Sequence, residues 1–368
     1  MNRLMPTRAP DDDTIDPAEA PPLPPARPPA RFDALDRLRG MALVAMLVHH
    51  LCDWLTGDAR AFLPGWRSFA VTDAAAVAFF VAAGGSMALF VASRRGRGVG
   101  RLRVAGQVAR RYGMLVPIGL ALDWVMWRNL GMVGVLEVLG VTVVAGAAVA
   151  AVAPRRALPA VAAGTIVVGV LSERAVQGSE AWLADEVIAG KFPVVTYLGF
   201  VLLGVVAVRC GWHASRRAVF GAAAAATLAT LAILADGIVP ARYPGDVPFV
   251  VPGLAVTIIA FALAQLSWSR AFGVVDAVVR RAAAHTLGIF LGHYLIYGAL
   301  RRYGLLGTVE PVLAVPVALA VTVALCLVAP RVPQLPWSLR TGRRRPGRRR
   351  PAPSAQRERG SITSSTSP

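Results

Sequence analysis

The chain is short of the groups that make a water-soluble surface. Charged residues are 16% of its 368, hydrophobic residues are 55%, and mean hydropathy is +0.55. A soluble domain of this length needs a polar shell that such a composition does not supply. Lysine is almost missing: Lys191 stands alone among the arginines, a bias that, beside abundant Ala, Val and Gly, reads as coding bias. The three cysteines, Cys52, Cys210 and Cys326, fall in or beside different apolar blocks. Their spacing suggests neither a zinc site nor a disulfide framework, so each reads as a small packing residue. No short charged-then-apolar leader with a cleavage site opens the chain, because its start is polar and Pro-rich. The first apolar block is therefore expected to remain in the mature protein.

What the chain does have is apolar blocks of roughly twenty residues, the length that crosses a hydrocarbon core about 30 Å thick. They fall at about 41–55, 70–92, 112–127, 131–152, 157–172, 193–209, 217–236, 247–266, 285–300 and 309–330. The predicted fold is all-α, a polytopic integral membrane bundle of about ten transmembrane helices. Arginine placement gives the orientation. With the N-terminus inside, the inside loops carry Arg94, Arg95, Arg97, Arg101, Arg103, Arg110 and Arg111, then Arg155 and Arg156, Arg216 and Arg217, and Arg270, Arg280 and Arg281. The outer loops are arginine-poor or acidic, with Arg301-Arg302 as the main exception. The prediction is a multi-pass protein of the cell membrane with both termini cytoplasmic. Residues 1–32 read as a disordered Pro/Asp-rich tail, 33–332 as the membrane domain and 333–368 as a disordered Arg-rich tail. The net charge of +18 does not indicate nucleic acid. Ten arginines lie between Arg331 and Arg359 in a tail that cannot bury a core, which suits contact with anionic membrane lipid. Nothing in the sequence points to a particular oligomeric state.

Ionisable groups inside a bilayer are costly, so each is a functional candidate. On the first helix Arg39 and His50 are eleven residues apart. That is about three turns, which puts them on one face with His50 about 16 Å deeper. A cation at the cytosolic mouth can hold an anionic carrier, and an interior imidazole can take a proton from a nucleophile. The competing reading of Arg39 is an inside anchor, and one of His49 and His50 can simply pack. Asp53 follows His49 by four residues and His50 by three, so it can orient either ring or sit at the outer interface. A His-His-x-x-Asp metal site has no supporting ligand motif, and no metal is expected. Asp73 opens the second helix, as a cap or as a site residue, and Gly84-Gly85-Ser86 permits close helix packing. Asp123, Glu137 and His293 are further polar groups inside apolar blocks, with Glu137, His293 and His49 as candidate substrate contacts.

These stretches resemble the transmembrane acyltransferases of the heparan-α-glucosaminide N-acetyltransferase-like branch, and more distantly the acyltransferase-3 proteins. The resemblance runs from about Asp33 to Val328. It is carried by Arg39-Gly40-Met41-Ala42-Leu43-Val44-Ala45-Met46, Val71-Thr72-Asp73, Phe79-Phe80, Gly84-Gly85-Ser86 and the Arg-rich second loop. Gly134 to Thr142, Phe192-Pro193 to Leu203-Gly204, and Leu287 to His293 complete it. The resemblance implies an acyltransferase that takes an acyl group, usually acetyl, from cytosolic acyl-CoA to a carbohydrate or glycolipid acceptor across the membrane. It implies no metal. Arg39, Arg103, Arg110 and Arg111 would hold the acyl-CoA, and His50, with Asp53 or Asp73, would act on the acceptor. Acyltransferase-3 proteins carry an Arg and a His eleven residues later, as Arg39 and His50 do. Lysosomal heparan enzymes instead carry Asn at the later position and a reactive His in the first outer loop. The loop position aligned by Trp66 and Asp73 is Leu63 here, so that loop His is missing and the acceptor, amine or hydroxyl, stays open. The alternative from another class is a proton-coupled transporter or flippase using His50, Glu137 and His293 as a relay. No repeat between the halves supports it.

Overall fold

A computed structural model describes residues 33–58, 63, 65–66, 69–128, 133–176, 185–211, 215–236, 247–266, 268 and 272–331. The two tails expected at 1–32 and 333–368 lie outside these residues. Apolar runs without water must satisfy their own backbone groups, and helices do so within one segment. Twelve α-helices follow in the described residues: α1 Asp33–Thr56, α2 Ala74–Arg95, α3 Arg101–Gly113, α4 Leu115–Trp127, α5 Val135–Val152 and α6 Leu158–Val176. The second half holds α7 Val194–Arg209, α8 Arg216–Ala235, α9 Val247–Ala264, α10 Gly273–Ala284, α11 Thr286–Arg302 and α12 Pro311–Val328. Local signals set several ends. Ser215 accepts the Ala218 N–H at the start of α8, and Pro311 occupies the first turn of α12, where no N–H is needed. The sole sheet among the described residues is a two-residue antiparallel pair, β1 Gly65–Trp66 with β2 Phe69–Ala70.

Seven segments of the described residues are long and apolar enough to cross a bilayer: Asp33–Thr56, Val71–Arg95, Val135–Val152, Leu158–Val176, Arg216–Ala235, Val247–Ala264 and Pro311–Arg331. This is fewer than the ten apolar blocks, and the reason is local. The block at 112–127 gives up its first turn to the end of α3, leaving a helix of 13 residues. α7 starts only after Pro193 and has 16 residues, and α11, bounded by His285 and ending in Arg301-Arg302, has 17. α3 and α10 are amphipathic instead. α3 buries Val104 and Val108 and exposes Arg101, Arg103, Arg110 and Arg111; α10 buries Val279, Ala282 and Ala283.

The bundle has two chemically different ends. At one, the guanidinium of Arg37 donates to the carbonyl oxygens of Ala264 and Leu266, at and just past the end of α9, and to Asp276 of α10. At the other, the N–H groups of Gly307 and Val309 donate to the carbonyls of Trp54 and Leu55, closing the α11–α12 connection onto the end of α1. Between them the tightest seam joins α2 and α7. A Cβ at Gly84 would overlap the Val201 carbonyl oxygen, and one at Gly204 would overlap that of Val81. The two backbones therefore touch, as small residues allow where lipid offers no hydrophobic driving force. Phe80, Phe200, Val201 and Val205 pack around the seam with no exposed surface. Gly204→Val should force the helices apart and cost about 3 kcal/mol, read as a lowered melting temperature of the detergent-purified chain.

Asp276 sits between Arg37 Nε at 2.8 Å and Arg280 Nε at 2.7 Å, and Arg280 also pairs with Asp33. Burial alone pushes the Asp276 carboxyl up, but the two arginines outweigh it and hold it below the usual carboxylate range. A depressed folded value stabilises the fold above the unfolded value of about 4 and loses that contribution as pH falls through the folded one. The melting temperature should therefore fall below about pH 4. Asp276→Asn should remove that part of the acid dependence and cost roughly 2 kcal/mol at neutral pH.

Candidate active site

His49 and His50 are successive residues of α1, so their side chains point about 100° apart. That divergence sends each ring to a different neighbour. His49, 4% exposed, turns towards the segment before α2. Its Nδ1 lies 2.8 Å from Thr72 Oγ1, and its Nε2 is 3.6 Å from Asp73 Oδ1, the range of a charge pair rather than a formed hydrogen bond. Asp73 is held in place because its other oxygen accepts the Ala70 N–H at 2.8 Å, at the end of the β1–β2 pair. Asp73 thus both caps the turn and faces a histidine.

His50 turns instead towards α11. Its Nδ1 is 3.2 Å from Nε2 of His293, and the two rings meet edge to edge, 19° from parallel with centroids 5.4 Å apart. Trp54 packs on both. His293 is fully buried, while its neighbour Tyr294 reaches a cleft that His49, His50, Thr72 and Asp73 line from the α1 and α2 side. The cleft lies at the end of the bundle away from Arg37 and Arg39. Its other wall is Asp123 and Trp127 of α4, Val133 to Val135 before and at the start of α5, and Lys191 and Phe192 before α7.

Behind Asp123 stands Glu137, 6% exposed. The two carboxyl groups are neighbours, and one oxygen of each, Asp123 Oδ2 and Glu137 Oε1, is buried with no hydrogen-bond partner. Room for the Glu137 carboxyl exists because residues 119 and 134 are glycines; a Cβ on either would overlap it. Lys191 acts on Asp123 by charge. Glu137→Gln keeps the flat group that the two glycines accommodate and should melt close to the parent protein. Glu137→Leu puts branched methyls into that space and should cost about 1–3 kcal/mol by the same melting measurement.

The other sequence candidates lie elsewhere. Arg39 is not brought to the cleft. Its guanidinium bonds Asp36 at 2.7 Å, the Ala283 carbonyl at 3.0 Å and Ser86 Oγ at 3.3 Å, so it ties α1 to α2 and α10. Asp53 is exposed and outside the cleft lining. Arg103, Arg110 and Arg111 are exposed on α3, where Arg111 lies over the rings of Phe90 and Tyr112. Among the described residues no three of His, Cys, Asp and Glu are grouped to hold a metal ion. Sequence reasoning gave no role to Lys191, Thr72, Trp127 or Tyr294. Lys191 had a signal to offer, being the one lysine among so many arginines.

A family model described as "Heparan-alpha-glucosaminide N-acetyltransferase, catalytic" matches residues 31–238, more than half of the chain. The chain belongs to this family. A comparison with curated proteins finds no match. Membership of the heparan-α-glucosaminide N-acetyltransferase catalytic family makes the protein an acetyltransferase, and its apolar helices make it a membrane one. The matched span runs from α1 through α8 and so includes His49, His50, Asp73, Asp123, Glu137 and Lys191. It stops before His293 and Tyr294, which α11 brings in from outside it.

Proposed function

We propose that the chain moves an acetyl group from acetyl-CoA, bound at the arginine-rich end, to a sugar or glycolipid acceptor held in the cleft at the other end. The observation that carries this reading is the meeting of two histidines and two carboxylates on facing walls of one cleft, His49, His50 and Asp73 opposite Asp123. In this reading α4, α7 and α11 cross the bilayer with the seven longer segments, and both termini are cytoplasmic. The exposed arginines of α3, with Arg94, Arg95 and the Arg39 end of α1, then face the cytosol, where forked donors suit the phosphates of CoA.

His50 acts as general base. It takes the proton of the acceptor hydroxyl or amine as that oxygen or nitrogen attacks the thioester carbonyl carbon. The carbon–sulfur bond breaks, CoA leaves as a thiolate, and the imidazolium returns the proton to the sulfur. His49, backed by Asp73 and Thr72, orients the acceptor, while Trp127 and Tyr294 offer ring faces to a sugar. Asp123 accepts a hydrogen bond from one of its hydroxyls, and Glu137 stands behind it.

The test uses membranes containing the full chain and radiolabelled acetyl-CoA, following label into extracted lipids and glycans. His50→Ala should insert normally and lower incorporation at least about 10²-fold. Undiminished labelling by that variant would refute the assignment, and saturable solute uptake with no CoA consumption would favour a transporter.

A further inference from the structure

His293 is fully buried, lies just outside the cleft lining and sits beyond the residues matched by the family model. Its two ring nitrogens have different partners. Nδ1 meets the carbonyl oxygen of Phe290 one turn back along α11, and Nε2 meets Nδ1 of His50 at 3.2 Å. A carbonyl oxygen can only accept, so Nδ1 of His293 carries the proton. In a neutral imidazole the other nitrogen is then an acceptor. His50 must therefore donate from Nδ1, and the lone pair of its ring lies on Nε2. The direction of the hydrogen bonds runs from His50 through His293 to the α11 backbone.

Aromatic rings enclose the pair: Trp54 lies against His293 at 13° and 5.4 Å and against His50 at 5.7 Å, and Tyr294 lies against His293 at 4.3 Å. A half-turn of either imidazole keeps its ring plane but puts carbon where nitrogen stood, so it would break the bond between the two rings and, for His293, the one to Phe290 as well. The histidine tautomer is set by the bond its second nitrogen makes, and here that bond ends on a backbone atom that cannot change roles. We infer that His293 is a positioning residue that holds His50 in its Nδ1–H tautomer and so makes Nε2 the basic nitrogen. The inference rests on the reading of His50 as the base only for its catalytic consequence; the tautomer itself is independent of it.

The test uses the full chain labelled with ¹⁵N-histidine in lipid nanodiscs at neutral pH. The chain has five histidines, so the signals lost in His50→Asn identify that residue. The parent protein should show His50 protonated at Nδ1 and unprotonated at Nε2. His293→Leu keeps bulk but removes the acceptor. It should abolish that pattern, leave the His49 signals in place as a check on folding, and slow acetyl transfer from labelled acetyl-CoA about 10²-fold. His293→Gln offers a side-chain oxygen to the same donor and should restore both the pattern and transfer to within about tenfold. Finding His50 protonated at Nε2 in the parent, or its pattern unchanged in His293→Leu, overturns the inference. A changed tautomer with undiminished transfer upholds it and removes His50 as the base instead.

Discussion

A polar side chain inside hydrocarbon must find its partners within the protein, and the position of α1 follows from meeting that demand at both of its ends. Near its start Arg37 binds Asp276 of α10 and the carbonyls after α9, while Arg39 binds Ser86 of α2 and the Ala283 carbonyl of α10. Near its end His49 takes Thr72, and His50 takes His293 of α11. The stretch between is apolar, with Leu43 and Leu47 fully buried. Four side chains thus draw four neighbours against one helix, from directions that 3.6 residues per turn dictates. The cleft is a consequence. Adjacent histidines pull α2 and α11 to different sides, and the space between them faces α4 and α5.

That cleft gathers groups of opposite chemistry. Glu137 stands behind Asp123, and Lys191 acts on Asp123 by charge. Asp73 spends one oxygen on a backbone N–H and aims the other at His49. Isolated charges would be costly here, whereas paired ones set a field at small expense.

Much of this was readable from residues, and the rest fails to be for physical reasons. Apolar blocks located the helices because hydropathy is a local property, yet the spanning count fell short where Gly113, Pro193 and the Arg301-Arg302 pair trimmed helices below the length of a full crossing. The Gly84-Gly85 packing was legible because close approach needs a missing side chain, and the Val201 carbonyl does sit there. The spacing of Arg39 and His50 correctly placed both on α1 but could not show that Arg39 is occupied by α2 and α10. His50 and His293 are 243 residues apart in sequence. No periodicity links them, so a pairing that decides which nitrogen is basic is invisible until the helices are packed. Asp73 looked evenly like a cap or a site residue, and it makes contacts of both kinds, one oxygen on the Ala70 N–H and the other facing His49.

The length of α1 between its two polar ends bears on how the proposed transfer could work. Arg39 and His50 are separated by about 16 Å of helix, and the donor and acceptor enter from opposite ends. A transporter must open each end in turn, which asks packed helices to slide. The α2–α7 seam, with backbone on backbone at Gly84 and Gly204, resists sliding because any offset drives a Cα into a carbonyl. A transferase asks less of the bundle. Only the acetyl carbonyl has to reach the imidazole, carried on the flexible arm of CoA, while the nucleotide stays with the arginines and the acceptor stays in the cleft. A rigid seam beside a preorganised histidine pair suits that division, since precision at the reacting atoms is worth more than mobility of the helices around them.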